Sequence, residues 1–487
     1  MSMSVKSMSF RVLRVSIDGK NHDLSLPVEN DENFITVITG KNGSGKSRIL
    51  EFISNNFVQN DDFLRFSPHR WTRGLNKLRL RYDSNTITYQ SSGYDVVGEI
   101  LHKDLAMAFV SESHPNERYN IFPSRLVCLS TSPFDRFPPT KRTKRSDDVT
   151  CEEPQESIYT YVGLKSSSAA LSVKGLITNV IDTILKSSER IKKNVGAIRD
   201  TLDYLGYGKR IRLTFKSTLP SNALLYGDLN ASVLLILEER PELTEQADHI
   251  LKAVSVLRSK HANSKGQFSV SMQLVEPELL SDEYMQAVRL LLNLGLIRIL
   301  GFKLSLKADN RKFITFNHAS SGEQCLALMM LGIASVIEDN SLVCIDEPEI
   351  SLHPEWQEEF IPMIQKSFNF YKGCHFIIAT HSPLIISKLN ASSCCVLDLD
   401  RNKLVEELNS KEFSSDYQLA TLFDSPGFKN QYLLNESLEI LSLLSKSVFI
   451  PEDTLSRAQS IIDIIPNLDE EDPVLSLASA IKKVVEV

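Results

Sequence analysis

Short apolar runs, separated by polar and glycine-rich stretches, give this chain its plan. Phe34-Ile35-Thr36-Val37-Ile38-Thr39 is a β-branched run of strand length and predicts a buried strand. Leu342-Val343-Cys344-Ile345 and Phe376-Ile377-Ile378-Ala379 have the same character, and Arg125-Leu126-Val127-Cys128-Leu129-Ser130 is a further candidate. Phe10 to Val15 alternates loosely and Lys77 to Tyr82 strictly, as strands with one buried face do. Phe302 to Leu306, Phe313 to Phe316 and Val396 to Asp400 complete the predicted strands. Helical spacing appears in Arg48 to Ile53, between Leu171 and Leu185, around Leu234, Ile250 and Leu290, and through Leu326, Leu328, Met329, Leu331 and Ile333. The tail carries amphipathic segments at Tyr432-Leu433-Leu434, Leu438 to Leu441 and Ile461-Ile462.

Chemistry sits at the ends of these strands. Gly40-Lys41-Asn42-Gly43-Ser44-Gly45-Lys46-Ser47 joins the first buried strand to a helix and fits the phosphate-binding loop, a glycine followed by four residues and then glycine, lysine and serine. In that pattern Gly40, Asn42, Gly43, Ser44, Gly45 and Arg48 belong to a backbone cradle, whose N–H groups and helix N-terminus face a polyphosphate. Lys46 reaches the terminal phosphates and the Ser47 hydroxyl ligates Mg2+. Far downstream, Asp346-Glu347-Pro348 ends an apolar strand, which is where open α/β sheets bind ligands. Asp346 is the expected holder of the Mg2+ shell, and Glu347 the residue that orients or deprotonates the attacking water. Ser320-Ser321-Gly322-Glu323-Gln324 opens a helix before that strand, and Thr380-His381-Ser382-Pro383 follows the next one.

This set resembles the ABC-type ATPases, including the chromosome-maintenance and double-strand-break-repair branch and its prokaryotic defence relatives. The resemblance implies an α/β fold, a P-loop NTPase of ABC type with a mixed central sheet, a helical insertion and a helical C-terminal region. It also implies ATP and Mg2+ as cofactors. Ser320 to Gln324 looks like the family's Leu-Ser-Gly-Gly-Gln signature, with Ser320 and Glu323 as departures. By that match Ser321 and Gly322 cap the γ-phosphate of an ATP held by another protomer, so a homodimer or higher oligomer is implied. Glu323 shares the signature position, but its charge keeps its side chain off phosphate. His381 matches the switch histidine, and Ser351-Leu352-His353-Pro354 the dimer-contact loop, with His353 where many relatives have aspartate. Two readings of Asp135 stay open: a stand-in for the glutamine that usually approaches Mg2+, or an exposed residue of a Pro-bounded turn.

The distance from Gly40 to Asp346 divides the chain. Residues 1–165 are expected to form an N-terminal ATPase lobe, 166–300 a helical insertion, 301–400 the C-terminal ATPase lobe, and 401–487 a helical partner-binding region. Pro138 to Pro154 reads as an exposed loop. Asp398 and Asp400 alternate, yet read as solvated strand-end residues because no further ligands accompany them. His114-Pro115-Asn116 and Asn317-His318 lack the partners of an HNH centre and read as loop polarity.

Composition narrows the classes. The formal net charge of −7 gives no overall basic character for nucleic acid. Seven cysteines without zinc-ligand spacing argue for a reducing interior, so the expected location is cytoplasmic. The N-terminus lacks an apolar leader core and no run is long enough for a bilayer, so no membrane is expected.

Phe134-Asp135-Arg136-Phe137 and Phe413 to Phe423, taken with the compact ATPase, resemble the ATPase of the Septu anti-phage system, PtuA, and its retron-associated counterparts. That resemblance implies a separate HNH nuclease partner, PtuB-like, and in a retron a reverse transcriptase with its RNA–DNA product. Two other classes stay open. A DNA-repair or chromosome-organising ATPase would use Arg65, Arg70, Arg73, Lys77, Arg79 and Arg81, or Lys141 to Arg145, on phosphates. A nucleotide-sensing scaffold with little turnover would use Asp469-Glu470-Glu471-Asp472 as a protein contact.

Overall fold

Alternate side chains of the buried strands feed two different cores, and that division builds the molecule. In a computed structural model the described residues are 9–27, 30–66, 85–91, 94–102, 105–110, 122–139, 157–163, 180–181, 185, 188–218, 229–258, 266–273, 283–316, 319–389, 393–405, 415–421, 426–446 and 451–485. The strand predicted at Lys77 to Tyr82, His114 to Asn116, Asn317-His318, most of the Leu171 to Leu185 run, residues 140–156 and the basic residues from Arg70 to Arg81 and Lys141 to Arg145 lie outside them.

In chain order the strands are β1 (Arg11–Ile17), β2 (Lys20–Asp23), β3 (Phe34–Thr39), β4 (Asn85–Ser91), β5 (Tyr94–His102), β6 (Leu105–Val110), β7 (Leu126–Ser130) and β8 (Tyr159–Gly163). They continue with β9 (Tyr207–Ser217), β10 (Gln267–Gln273), β11 (Ile297–Leu306), β12 (Phe313–Thr315), β13 (Leu342–Asp346), β14 (His375–Ala379), β15 (Cys394–Asp398) and β16 (Lys403–Val405). Among the described residues a seven-stranded sheet runs β16-β15-β3-β14-β13-β7-β8. All its pairs are parallel except β15 with β16, which makes it the mixed central sheet of a P-loop α/β fold. In register, Ala379 stands beside both Ile38 and Asp346, so the C-terminal ends of β3, β14 and β13 open onto one edge.

On one face of this sheet Ile38, Cys128, Cys344 and Ile377 pack with Ile49, Leu50, Ile53 and Phe57 of the helix Lys46–Phe66. Val12, Val15, Ile87 and Tyr89 from the five-stranded antiparallel sheet β2-β1-β4-β5-β6 close that core. On the other face Val37, Leu129, Ile345 and Ile378 meet the helices Ser321–Val336, Pro354–Ser367 and Ser188–Tyr204. Residues one apart thus serve opposite cores, which is why these strands lack polar alternation.

The segment 166–300, expected to be helical, also holds β9, β10 and the start of β11. They join β12 in the antiparallel order β10-β9-β11-β12, so this sheet crosses position 300 and shares the core containing Leu326 and Ile345. β9 buries alternate residues, Ile211, Leu213 and Phe215, as a one-faced strand does. The tail is helical at Ser415–Thr421, Gln431–Lys446, Glu452–Ile464 and Pro473–Val485, and gathers a separate core from Leu433, Ile440, Ile461, Val474 and Ile481. Leu434 and Leu441 pack against that core, while Leu438 is exposed. No described helix is long and apolar enough to cross a membrane.

Candidate nucleotide site

The loop after β3 can turn sharply because its glycines take conformations closed to other residues. Gly40, Gly43 and Gly45 have φ values of +147°, +84° and +107°. A Cβ on Gly43 or Gly45 would meet nothing within 4 Å, whereas one on Gly40 would stand 2.9 Å from Ser44 Oγ. Conformation demands glycine at all three positions, and crowding adds to it at Gly40. The Ser44 N–H closes on Lys41 O at 3.1 Å, and the Arg48 and Ile49 N–H groups reach Gly45 O at 3.0 Å as the helix starts.

Lys46 is buried, and its Nζ donates to Gly40 O at 2.7 Å and Lys41 O at 3.1 Å, with His381 Nδ1 at 3.0 Å. Burial lowers its pKa to about 8, against the opposing pull of Glu347, Asp400, Glu349 and Asp346. Ser47 Oγ donates to Asp346 Oδ1 at 3.0 Å. Burial lifts the Asp346 carboxyl to about 7; the Ser47 bond works against this, and the charges of Glu347, Asp135 and Glu349 work with it.

Glu347 and His381 face each other across the strand ends, with Glu347 Oε1 3.6 Å from His381 Nε2. Burial, then the Lys46 ammonium, holds His381 below its ordinary pKa and so favours the neutral ring. A neutral ring that accepts from Lys46 at Nδ1 carries its proton on Nε2, the nitrogen turned to Glu347. Glu347 has φ +50° and Ser351 φ +68°, left-handed conformations uncommon outside glycine that gather at functional turns.

Two residues that sequence reasoning did not assign to the site belong to this neighbourhood. Glu349 accepts the Thr380 hydroxyl at 2.8 Å and the His381 backbone N–H at 2.6 Å. Its signal was the third acid in Asp-Glu-Pro-Glu. Asp400 is exposed, as expected of a strand-end residue, and its Oδ2 also accepts the Lys41 N–H at 2.8 Å. Asp398 departs from that expectation: it is buried, its Oδ1 accepts the Asp400 and Arg401 N–H groups, and Arg401 is its ion-pair partner.

The exposed-turn reading of Asp135 is overturned. Its carboxylate is buried, accepts Tyr161 Oη at 2.7 Å and the Phe137 N–H at 3.1 Å, and lies close enough to Asp346 to raise its pKa. Pro133, Phe134 and Arg136 are exposed around it. The Arg48 side chain leaves the loop for Asp18 Oδ2, 2.5 Å away. Asn42 is exposed on the loop.

Ser321, Gly322 and Glu323 are elsewhere. Ser320 caps the helix Ser321–Val336, and Glu323 folds back into the capping box, its Oε2 accepting the Ser320 N–H at 2.5 Å. Glu323 also stands near Tyr207, whose pKa its charge helps burial to raise. Ser321 is exposed, and Gly322 is held so close to Ser351 that an added Cβ would stand 2.6 Å from its carbonyl.

These residues fit a nucleotide with Mg2+. Ser44 Oγ is buried with no partner beside a glycine cradle open to an anion, so a phosphate oxygen could satisfy it. Ser47 Oγ and Asp346 Oδ1 form a hard oxygen pair. Among the described residues no group of three or more His, Cys, Asp or Glu gathers, which suits an ion completed by phosphate oxygens and water.

Fold and site together define a P-loop ATPase whose candidate nucleotide residues are divided between the two ends of an insertion. A family described as "AAA domain, putative AbiEii toxin, Type IV TA system" matches residues 184–387. The chain is 24% identical over 465 residues to the "Retron Vc95 probable ATPase" of Vibrio cholerae serotype O1 biovar El Tor, spanning 91% of this chain and 84% of the relative. It is 24% identical over 396 residues to the "Retron Ec83 probable ATPase" of Escherichia coli, spanning 74% of this chain and 66% of that protein. Among solved structures, the "SMC head domain from Thermotoga maritima" aligns with 80% of this chain and 94% of its own at 12% identity and a TM-score of 0.33.

Proposed function

We propose that this chain is the ATP-hydrolysing subunit of a retron- or Septu-type (PtuA-like) defence assembly, in which composite sites shared by two copies govern a separate HNH nuclease. The observation that carries the ATPase part is the convergence of Lys46, Ser47, Asp346, Glu347 and His381, with links of 3.0 to 3.6 Å, at one edge of the central sheet. Asp135, near enough to Asp346 to raise its pKa, is in this reading the stand-in for the glutamine that usually approaches Mg2+. The assembly part draws its support from the names of the two retron relatives and from the tail's separate helical core.

In this reading the glycine loop and Lys46 bind the phosphates, and Ser47 with Asp346 would hold Mg2+, which neutralises charge building on the phosphate oxygens. Glu347 orients the attacking water and accepts its proton, while His381 steadies the same water from the opposite side. Exposed Ser321 and the N-terminus of its helix supply the second wall of a partner's site, with Glu323 kept local by its capping box. ATP-dependent closure is then the signal passed to the nuclease, and the helical tail or the insertion is the surface that carries it.

Lys46→Ala and Ser321→Arg test this reading together. At about a hundredfold excess over its dissociation constant, ATP should stabilise the wild type by about 2.7 kcal/mol and leave Lys46→Ala unchanged. Each variant alone should be inactive, while their mixture should recover ATP hydrolysis through one intact site per dimer. An ATP-dependent melting shift in Lys46→Ala overturns the site, and no recovery in the mixture overturns the shared-site model. Pull-down of the genetically adjacent nuclease with and without ATP tests the assembly part.

A further inference from the structure

The turn that follows β15 reaches across to the phosphate loop. The Leu399 N–H donates to Thr39 O at 3.0 Å, continuing the β15–β3 ladder past the register pair Asp398 and Thr39. One residue later Asp400 Oδ2 accepts the Lys41 N–H at 2.8 Å. A Cβ on Gly40 would come within 3.3 Å of Leu399 Cβ, so loop and turn already touch.

A trans peptide is planar, with its N–H and C=O directed oppositely. The Lys41 N–H and the Gly40 C=O belong to the same peptide. The N–H is held by Asp400, and the carbonyl on the other side accepts Lys46 Nζ at 2.7 Å. From this shared plane we infer that Asp400 is a positioning residue for Lys46, acting through the Gly40–Lys41 peptide. The inference rests on the ATPase reading above and adds a residue to it.

The turn is fixed well enough for the task. Asp398 Oδ1 accepts the Asp400 N–H at 3.0 Å, and its Oδ2 binds Arg401 Nη1 at 3.1 Å. Asn402, at φ +49°, donates from Nδ2 to Asn21 O at 2.8 Å and ties the turn to β2. With both neighbours of Asp400 anchored, its carboxylate stays over the loop. Freed from it, the Gly40–Lys41 peptide can rotate, and the carbonyl that aims Lys46 rotates with it. Asp400 is exposed, so water competes for the bond and the effect is about tenfold in size, not the larger loss of removing Lys46 itself.

The test compares Asp400→Ala with Asp400→Asn in the full chain, using ATP with magnesium. Alanine should raise the ATP dissociation constant and lower kcat about tenfold each. Asparagine keeps an acceptor oxygen and should stay within about threefold of wild type. Without nucleotide the three proteins should melt together. Wild-type affinity and turnover in Asp400→Ala, or Asp400→Asn as impaired as alanine, overturns the inference while leaving the ATPase reading intact. A loss that follows a lowered nucleotide-free melting temperature overturns it in favour of a purely structural turn. If the wild type neither binds nor hydrolyses ATP, the ATPase reading itself has failed.

Discussion

The carboxylate of Glu349 holds the backbone of His381. One oxygen takes the His381 N–H at 2.6 Å and the other the Thr380 hydroxyl at 2.8 Å, so a single side chain pins the turn after β14 to the turn after β13. Burial raises the Glu349 pKa, and these bonds oppose the rise. Glu349→Ala should lower ATP turnover by roughly tenfold to a hundredfold by loosening His381, with a smaller change in ATP affinity. Glu349→Gln keeps an acceptor for the N–H and can donate to Thr380, so it should recover most of the rate. Steady-state kinetics with direct ATP binding checks this, and a glutamine variant as slow as alanine would show that charge, not position, matters.

Glu347 stands 3.6 Å from His381 with its backbone in a left-handed turn. Glu347→Gln should preserve ATP binding and reduce hydrolysis by roughly 10²–10⁴-fold. Single-turnover hydrolysis together with a nucleotide-binding assay separates the two effects. Wild-type rates would move the base elsewhere.

Asp346 gives a pH dependence with a definite sign. Its folded pKa is about 7, raised from 3.8 chiefly by burial. Between those values the nucleotide-free folded protein keeps a proton that the unfolded chain releases, so this residue makes stability fall as pH rises through the window and adds no slope above it. Asp346→Asn removes that slope. Melting temperatures from pH 4 to 8 should therefore show the variant gaining on wild type as pH rises, and a constant difference across the range would contradict this.

Gly322 has no room for a methyl group, since an added Cβ would sit 2.6 Å from Ser351 O and 2.9 Å from Trp356. Gly322→Ala should destabilise the chain by about 1–3 kcal/mol and displace the Ser351 turn. Chemical denaturation measures the first effect and ATP turnover the second. Wild-type values in both would mean that the contact yields freely.

The sequence exposed most of the central sheet because its strands are buried on both sides and stand out as short apolar runs. The glycine loop and Asp346-Glu347 were legible for a related reason: their chemistry is local, with neighbouring residues serving one ligand. Glu349 and Asp400 were not, because they act on backbone N–H groups 32 and 359 positions away, and an acid in its own segment, even the third of Asp-Glu-Pro-Glu, does not say which distant N–H it will accept. β9 and β10 were missed although β9 alternates cleanly, since helical spacing dominates the residues around them and their antiparallel pairing joins positions as distant as Arg210 and Gln273. Asp135 required the same knowledge of topology, because burial by Tyr161 across the β7–β8 pair distinguishes it from an ordinary turn residue.

Lys46 and His381 are 335 positions apart, and Asp400 follows later still. On a ribosome adding about 5–20 residues per second, the glycine loop waits roughly 20 to 70 s for His381 to be synthesised. Until β13 and β14 arrive, β3 has neither its parallel neighbour β14 nor the carboxylates that surround Lys46. A nascent or truncated chain therefore holds the phosphate loop without the rest of its site, and full nucleotide recognition reports that synthesis has passed the last strands of the sheet.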